Sequence, residues 1–156
     1  MPRIRKKKIT TLLYCEGDTE EICAWYFQSL WSKNIDIKNW YWGSPTQVVQ
    51  KAINNSEWYD EVFAWIDNDR PEFDAAIKLA KSYNIQVIFN SPDFETEILR
   101  ILQPKLKIKS NAKRRYYDIY PNDSLLNQRT YKRFSKNILW VVSRDSVFRK
   151  VIELVN

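Results

Sequence analysis

Over residues 9–102 short apolar runs alternate with segments of helical periodicity. Ile9-Thr10-Thr11-Leu12-Leu13-Tyr14-Cys15 is β-branched and apolar, too short for a helix, and predicts a buried strand. Glu16-Gly17 ends it. Asp18, with Glu21 three residues on, predicts a capped helix start, and Ile22, Trp25, Tyr26, Ser29 and Leu30 form a stripe carrying that helix to about Lys33. Residues 35–42 alternate weakly and predict a second strand. Gly43-Ser44-Pro45-Thr46 breaks it, and Val48, Val49, Ala52 and Ile53 fit a short helix. Glu61 to Ile66 reads as a third, buried strand ending at Asp67-Asn68-Asp69. Pro71 suits the first turn of a helix whose stripe is Phe73, Ala76, Ile77 and Ala80. Residues 85–89 predict a fourth strand, and Asn90-Ser91-Pro92-Asp93 a helix start with Phe94, Ile98, Ile101 and Leu102 facing inward. Strand–helix units in alternation predict an α/β fold, a mostly parallel four-stranded sheet with helices on both faces.

From Pro104 the pattern fails. Lys105-Leu106-Lys107-Ile108-Lys109 alternates, and Lys113-Arg114-Arg115-Tyr116-Tyr117 sets charge beside aromatics. Residues 138–142 read equally as a strand or a buried helical turn, and Ser146 to Val155 as a short helix. The expected organisation is a basic arm (1–8), a sheet domain (9–103) and a small basic C-terminal extension (104–156).

A chain of 156 residues, 44% hydrophobic and 28% charged, is long enough for one buried core and too apolar for a disordered segment. No apolar run reaches the ~18–20 residues of a membrane span, and no apolar signal core follows the basic start, so a cytoplasmic protein without membrane association is expected. The chain has no histidine and two cysteines, Cys15 and Cys23. That removes Ser/His and Cys/His catalysis and nearly excludes zinc, leaving carboxylates, lysines, tyrosines or a hard metal. Cys15 reads as a small core residue. Residues 1–104 carry 12 lysines and arginines against 15 acidic residues, whereas residues 105–156 carry 13 against 4. An acidic body with a basic tail points to a polyanionic partner, the bland alternative being a lysine-rich solvated surface.

The acids fall where open α/β sheets place their functional crevice, beyond the carboxyl ends of strands. Glu16 follows the first strand, Asp67 and Asp69 the third, and Asp93, Glu95 and Glu97 the fourth. Asp67 and Asp69, two apart, would point the same way if the segment stays extended. Clustered carboxylates repel unless a cation sits between them, and oxygen donors of this kind suit Mg²⁺ or Mn²⁺. A turn-and-cap role for Asp-Asn-Asp is the plainer alternative.

Leu12-Leu13-Tyr14-Cys15-Glu16-Gly17-Asp18-Thr19-Glu20 resembles the strand-Glu-Gly motif of Toprim domains, in the C-E-G-x-T-E form of RloB-like proteins. Trp65-Ile66-Asp67-Asn68-Asp69 resembles the Toprim D-x-D motif. Residues 73–80 and Asn90-Ser91-Pro92-Asp93-Phe94-Glu95 resemble the family's A-I-x-x-A helix and S-N-P-x-F-E signature, with Asn-Ser-Pro in place of Ser-Asn-Pro. The likeness spans roughly residues 9–102.

The resemblance implies a Toprim-like fold and a Mg²⁺- or Mn²⁺-dependent endonuclease cutting RNA, tRNA included, or DNA, as effector of a prokaryotic anti-phage module. Asp67 and Asp69 would hold the metal, Glu16 would serve as general acid, base or ligand, and Glu95 would complete a second metal site. Glu20 would stand behind them. Glu97, about 200° further round a helix than Glu95, would not share the site, and Glu21 and Glu97 are expected on a solvated face. Implied partners are nucleic acid, an ATPase of the same module and a second copy of the chain. Lys113, Arg114, Arg115, Lys132 and Arg133 would meet phosphates, while Tyr116, Tyr117, Tyr131 and Phe134 would stack on bases or pack inward. Trp25 and Trp65 are expected in the core, and Trp40, Trp42 and Trp58 at an interface. The rivals are a Toprim scaffold that binds without cutting, and a CheY-like regulatory domain, for which the strand-end residues give no clean match.

Overall fold

The computed structural model describes residues 9–31, 33–39, 43–135 and 146–156. The basic arm, Trp40, Trp42, residues 138–142 and the side chain of Phe134 lie outside the described residues.

Four strands, β1 (Thr11–Cys15), β2 (Asp36–Asn39), β3 (Glu61–Asp67) and β4 (Gln86–Asn90), form one sheet in the order β2-β1-β3-β4. Every pairing is parallel, with Leu12 beside Asp36 and Val62, and Trp65 beside Ile88. The α/β architecture is the one expected and is consistent with a Toprim-like arrangement.

The crossovers are helices α1 (Asp18–Leu30), α2 (Pro45–Asn55) and α3 (Phe73–Ser82), and α4 (Phe94–Leu102) follows β4. Later helices are α5 (Ala112–Ile119), the short turn α6 (Lys132–Ser135) and α7 (Val147–Val155). Strand alternation sorts the core into two layers. Leu12, Tyr14, Val62, Ala64 and Ile66 face Val48, Val49 and Ala52 of α2 and Ala76 and Ala80 of α3. On the opposite face Leu13, Cys15, Trp65 and Ile88 join Phe27, Phe94, Ile98, Tyr116, Tyr131, Phe148 and Val151. The basic C-terminal part therefore puts its own apolar residues into the same core as the sheet. An edge-to-face cluster of Trp65, Phe94 and Phe148 ties β3, α4 and α7 together.

Several expectations change. The buried side of α1 is Glu20, Cys23, Ala24 and Phe27 with Tyr26, while Trp25, Ser29 and Leu30 are exposed. Trp25, expected in the core, is 47% exposed. The small Cys23 and Ala24 set the inner face because they let the helix approach the sheet, and a wide indole there would hold it off. Asp18 is not the cap: Gly17 holds that position without a side-chain bond, and the Asp18 carboxylate accepts a hydrogen bond from Asn39 of β2. Glu21 and Glu97 are buried rather than solvated. Glu97 accepts from the Ser91 amide at 3.0 Å and from Arg100 Nη1 at 3.0 Å, pinning the β4–α4 turn. Trp65 is fully buried and Trp58 exposed. No helix among the described residues is long and apolar enough to cross a membrane.

A carboxylate-lined cleft at the sheet's switch point

From β1 the chain runs outward to β2, and from β3 it runs outward the other way to β4. Between β1 and β3 the winding reverses, so the loops at their carboxyl ends diverge and open a crevice. Its cleft of ≈ 550 Å³ is lined by Glu16, Glu20, Asp67 and Glu95, with Gly17, Thr19, Ser44, Gln47, Arg70, Glu72 and Phe94 among the other walls.

Glu16 continues the β1–β3 ladder by one residue, its amide donating to the Trp65 carbonyl at 3.0 Å. Its side chain then turns across the switch point, and Oε2 accepts from the Asp67 amide at 2.7 Å. The other oxygen, Oε1, is buried without a hydrogen-bond partner, the Arg70 Nε standing 3.6 Å away. Asp67 is the last residue of β3. Glu20, one turn into α1, is held by Thr19 Oγ1 at 2.9 Å. A Cβ at Gly17 would lie 3.0 Å from Glu20 Oε2, so glycine leaves that carboxylate its room.

Asn90, the wholly buried last residue of β4, binds this group together. Its amide nitrogen donates to Asp67 Oδ1 at 2.7 Å and to Glu20 Oε1 at 3.3 Å, and its oxygen accepts from Trp65 Nε1 at 2.8 Å. Glu95 comes from the first turn of α4, whose start Asp93 caps through the Thr96 amide at 2.8 Å.

The electrostatics follow from burying acids with little to neutralise them. Burial pushes Asp67 up to about 9, with the charge of Glu20 adding to the shift and the Asn90 hydrogen bond opposing it. Burial likewise pushes Glu20 to about 7, with Glu16 and Glu95 contributing. Glu16 and Glu95 are raised mainly by burial; Arg70 partly relieves the first and Lys113 the second.

A hard divalent cation fits this donor set. All the donors are carboxylate oxygens, one is a buried orphan, and the missing component is positive charge. Among the described residues no three acidic or cysteine side chains are gathered closely enough to form a coordination shell as they stand. The donors are adjacent rather than converged.

The family model for RloB-like proteins matches residues 11–137. The chain belongs to the RloB-like family. Neither a curated protein nor a solved structure matches it. In this RloB-like protein the match runs past Gln103, where the likeness read from motifs stopped, and takes in α5.

Of the acids singled out from sequence, Glu16, Asp67 and Glu95 meet in the cleft, and Glu20 stands in its lining rather than behind it. Asp69 does not line the cleft. β3 stops at Asp67, so the two-residue alternation does not extend to Asp69, which is exposed on the following turn. Its charge still reaches Glu16, Asp67 and Glu95. Glu97 stays out of the cleft, as its helical angle requires. Lys113, Arg114, Arg115, Lys132 and Arg133 are all exposed. Arg133 is engaged, its Nε 2.7 Å from Asp123 and its guanidinium over the Tyr120 ring. Tyr116 and Tyr131 are fully buried and unavailable for stacking on bases, and Tyr117 is half-buried.

Motif reading missed the structural role of Asn90. Its one visible signal is a carboxamide ending an apolar run, where a buried polar side chain needs partners. Arg70 was also missed, being an ordinary charged turn residue in sequence.

Proposed function

We propose that this protein is a Mg²⁺- or Mn²⁺-dependent Toprim nuclease that cuts phosphodiester bonds in RNA or DNA, as the effector of a prokaryotic anti-phage module with an ATPase partner. The observation supporting this reading is the cleft at the switch point, where buried and half-buried carboxylates from the end of β1, from α1, from β3 and from α4 share one lining in which Arg70 is the one cation among the described residues. Glu16, Asp67, Glu20 and Glu95 would hold the metal, which when bound supplies a Lewis acid for the scissile phosphate. Asn90 fixes the orientation of Asp67 and Glu20, and the Asp67 amide fixes Glu16. Glu16 Oε1, buried and without a hydrogen-bond partner, is the oxygen that a bound cation would satisfy. Arg70, more than half exposed beside Glu16, would meet a substrate phosphate.

The test is cleavage of tRNA, single-stranded RNA and plasmid DNA with Mg²⁺, Mn²⁺ or EDTA, beside Asp67→Asn. The expected result is metal-dependent cutting reduced about 10²-fold or more in the variant, as loss of roughly 3 kcal/mol of transition-state stabilisation gives. The unconverged donors favour one second reading, a Toprim scaffold that binds nucleic acid or a partner without cutting. It predicts no cutting by either protein, with salt-sensitive binding intact in Asp67→Asn.

A further inference from the structure

A second cleft, of ≈ 520 Å³, lies away from the acids and has the opposite sign. Its lining is Lys107, Lys109, Ser110, Asn111, Arg114, Arg115 and a single acid, Asp118. The alternation of residues 105–109 explains half of it. Ile108 packs against the core, and the flanking Lys107 and Lys109 are left exposed. Asn111, in the left-handed region at φ 51°, turns the chain into α5. That helix buries Ala112 and Tyr116, one turn apart, which directs Arg114, Arg115 and Asp118 outward. Among the described residues Lys107, Lys109, Arg114 and Arg115 make no ion pair, not even with Asp118. Four unpaired cations around a concave surface on an anchored helix form a site for an anion with several charged oxygens. Asn111 gives no side-chain cap, so the N-terminal end of α5 adds its partial positive charge.

The position of the cleft identifies the anion. α5 packs on α4, and Lys113, between the cleft residues Asn111 and Arg114, acts electrostatically on Glu95 in the acidic cleft. The cationic cleft is thus borne by the helix that packs beside the one supplying Glu95 to the acidic cleft. A repeating polyanion would lie across both, with one phosphate among the acids and others among the cations.

We propose that the cleft formed by residues 107–111 and α5 binds backbone phosphates of a nucleic acid flanking the segment held in the acidic cleft. Its role beside a cutting site rests on the nuclease reading; its binding of nucleic acid does not.

The experiment separates the two by measuring binding without metal or turnover. Fluorescence anisotropy of a labelled single-stranded oligonucleotide is followed against salt in EDTA, for wild type, Arg114→Ala/Arg115→Ala and Lys107→Ala/Lys109→Ala. A charge-matched control, Lys78→Ala/Lys81→Ala, removes two exposed lysines from α3 on the opposite face of the sheet. All these side chains are exposed, and unchanged urea midpoints verify folding. Each cleft pair is expected to weaken binding about tenfold or more and to lower the salt slope by about 1–2, with the control within about twofold. Equal losses in cleft and control variants would overturn the proposal, since only diffuse charge would then be at work. Inorganic phosphate or polyglutamate displacing the oligonucleotide as effectively as unlabelled oligonucleotide, at matched ionic strength, would overturn the nucleic-acid assignment. Cleft-dependent binding by a protein that never cuts would sustain the subsite while refuting the nuclease.

Discussion

Replacing Asn90 by aspartate exchanges one donor nitrogen for an oxygen in a side chain that is wholly buried between two carboxylates. The shape is conserved, and the oxygen facing Trp65 Nε1 keeps its bond. The other oxygen would stand where the nitrogen now is, 2.7 Å from Asp67 Oδ1 and 3.3 Å from Glu20 Oε1. While protonated, the introduced carboxyl can donate to Asp67 as the amide does, so at low pH the variant should be nearly as stable as wild type. Once Asp67 or Glu20 ionises beside it, the ionised group meets a like charge at about 3 Å, worth roughly 5–6 kcal/mol at an effective dielectric constant near 20. The sign is that of an acid raised on folding: stability is whole below the unfolded value near ~4 and lost as pH climbs through the folded one. The penalty should therefore grow by up to about 1.4 kcal/mol per pH unit until it levels off. Asn90→Ala is the comparison. It orphans Trp65 Nε1 and removes the donor to both acids, costing about 2–4 kcal/mol with a smaller rise at high pH. Urea unfolding followed by circular dichroism from about pH 4.5 to 8.5 measures all three. A gap between the two variants that does not widen with pH would refute the placement of Asn90 between the carboxylates.

Other outcomes follow from the same geometry. Without metal, wild-type stability should fall as pH rises from the unfolded carboxylate range toward the values of about 7 for Glu20 and about 9 for Asp67, because the folded protein holds protons that the unfolded chain has released. Calorimetry should show this decline and a larger Mg²⁺-induced rise in Tm at the alkaline end; a Tm that climbs over this window contradicts it. Trp65→Phe should cost about 1–3 kcal/mol by stranding the buried Asn90 carbonyl, whereas Trp25→Ser, on the exposed side of α1, should stay within about 0.5 kcal/mol. Tyr131→Phe removes the 2.7 Å bond to the Leu125 carbonyl and should lower stability by about 1 kcal/mol, while Tyr131→Ala should cost about 3–5 kcal/mol through the cavity among Tyr26 and Phe94. Equal losses in the two tyrosine variants would argue against the hydrogen bond.

The strands were legible because each is a short apolar run closed by a polar turn, and their order with intervening helices left few topologies for a parallel sheet. Glu16 and Asp67 were legible for the same reason: each sits at the end of such a run. What failed was helix phase. In α1 the polar Glu20 shares the buried stripe with Cys23, Ala24 and Phe27, so a reading that follows large apolar residues turns the helix toward Trp25. Glu21 and Glu97 looked solvated because charge normally means exposure, and what pairs Glu97, a backbone amide and Arg100, is fixed only by the β4–α4 turn. The burial of Tyr116 and Tyr131 was hidden in a region without clear periodicity, and both join a core cluster whose other members come from far earlier in the chain, Tyr26 packing directly on Tyr131.

The chain from Trp65 through Asn90 to Asp67 and Glu20 also gives the site an optical handle. Indole emission responds to the field along its ring, and the ring nitrogen of this fully buried tryptophan is one side chain away from the carboxylates whose charge would change on protonation or cation binding. The protein thus carries its own reporter. Subtracting the spectrum of Trp65→Phe from that of wild type isolates this indole from the exposed Trp25 and Trp58, and the difference can be followed during a titration without attaching a dye to the cleft.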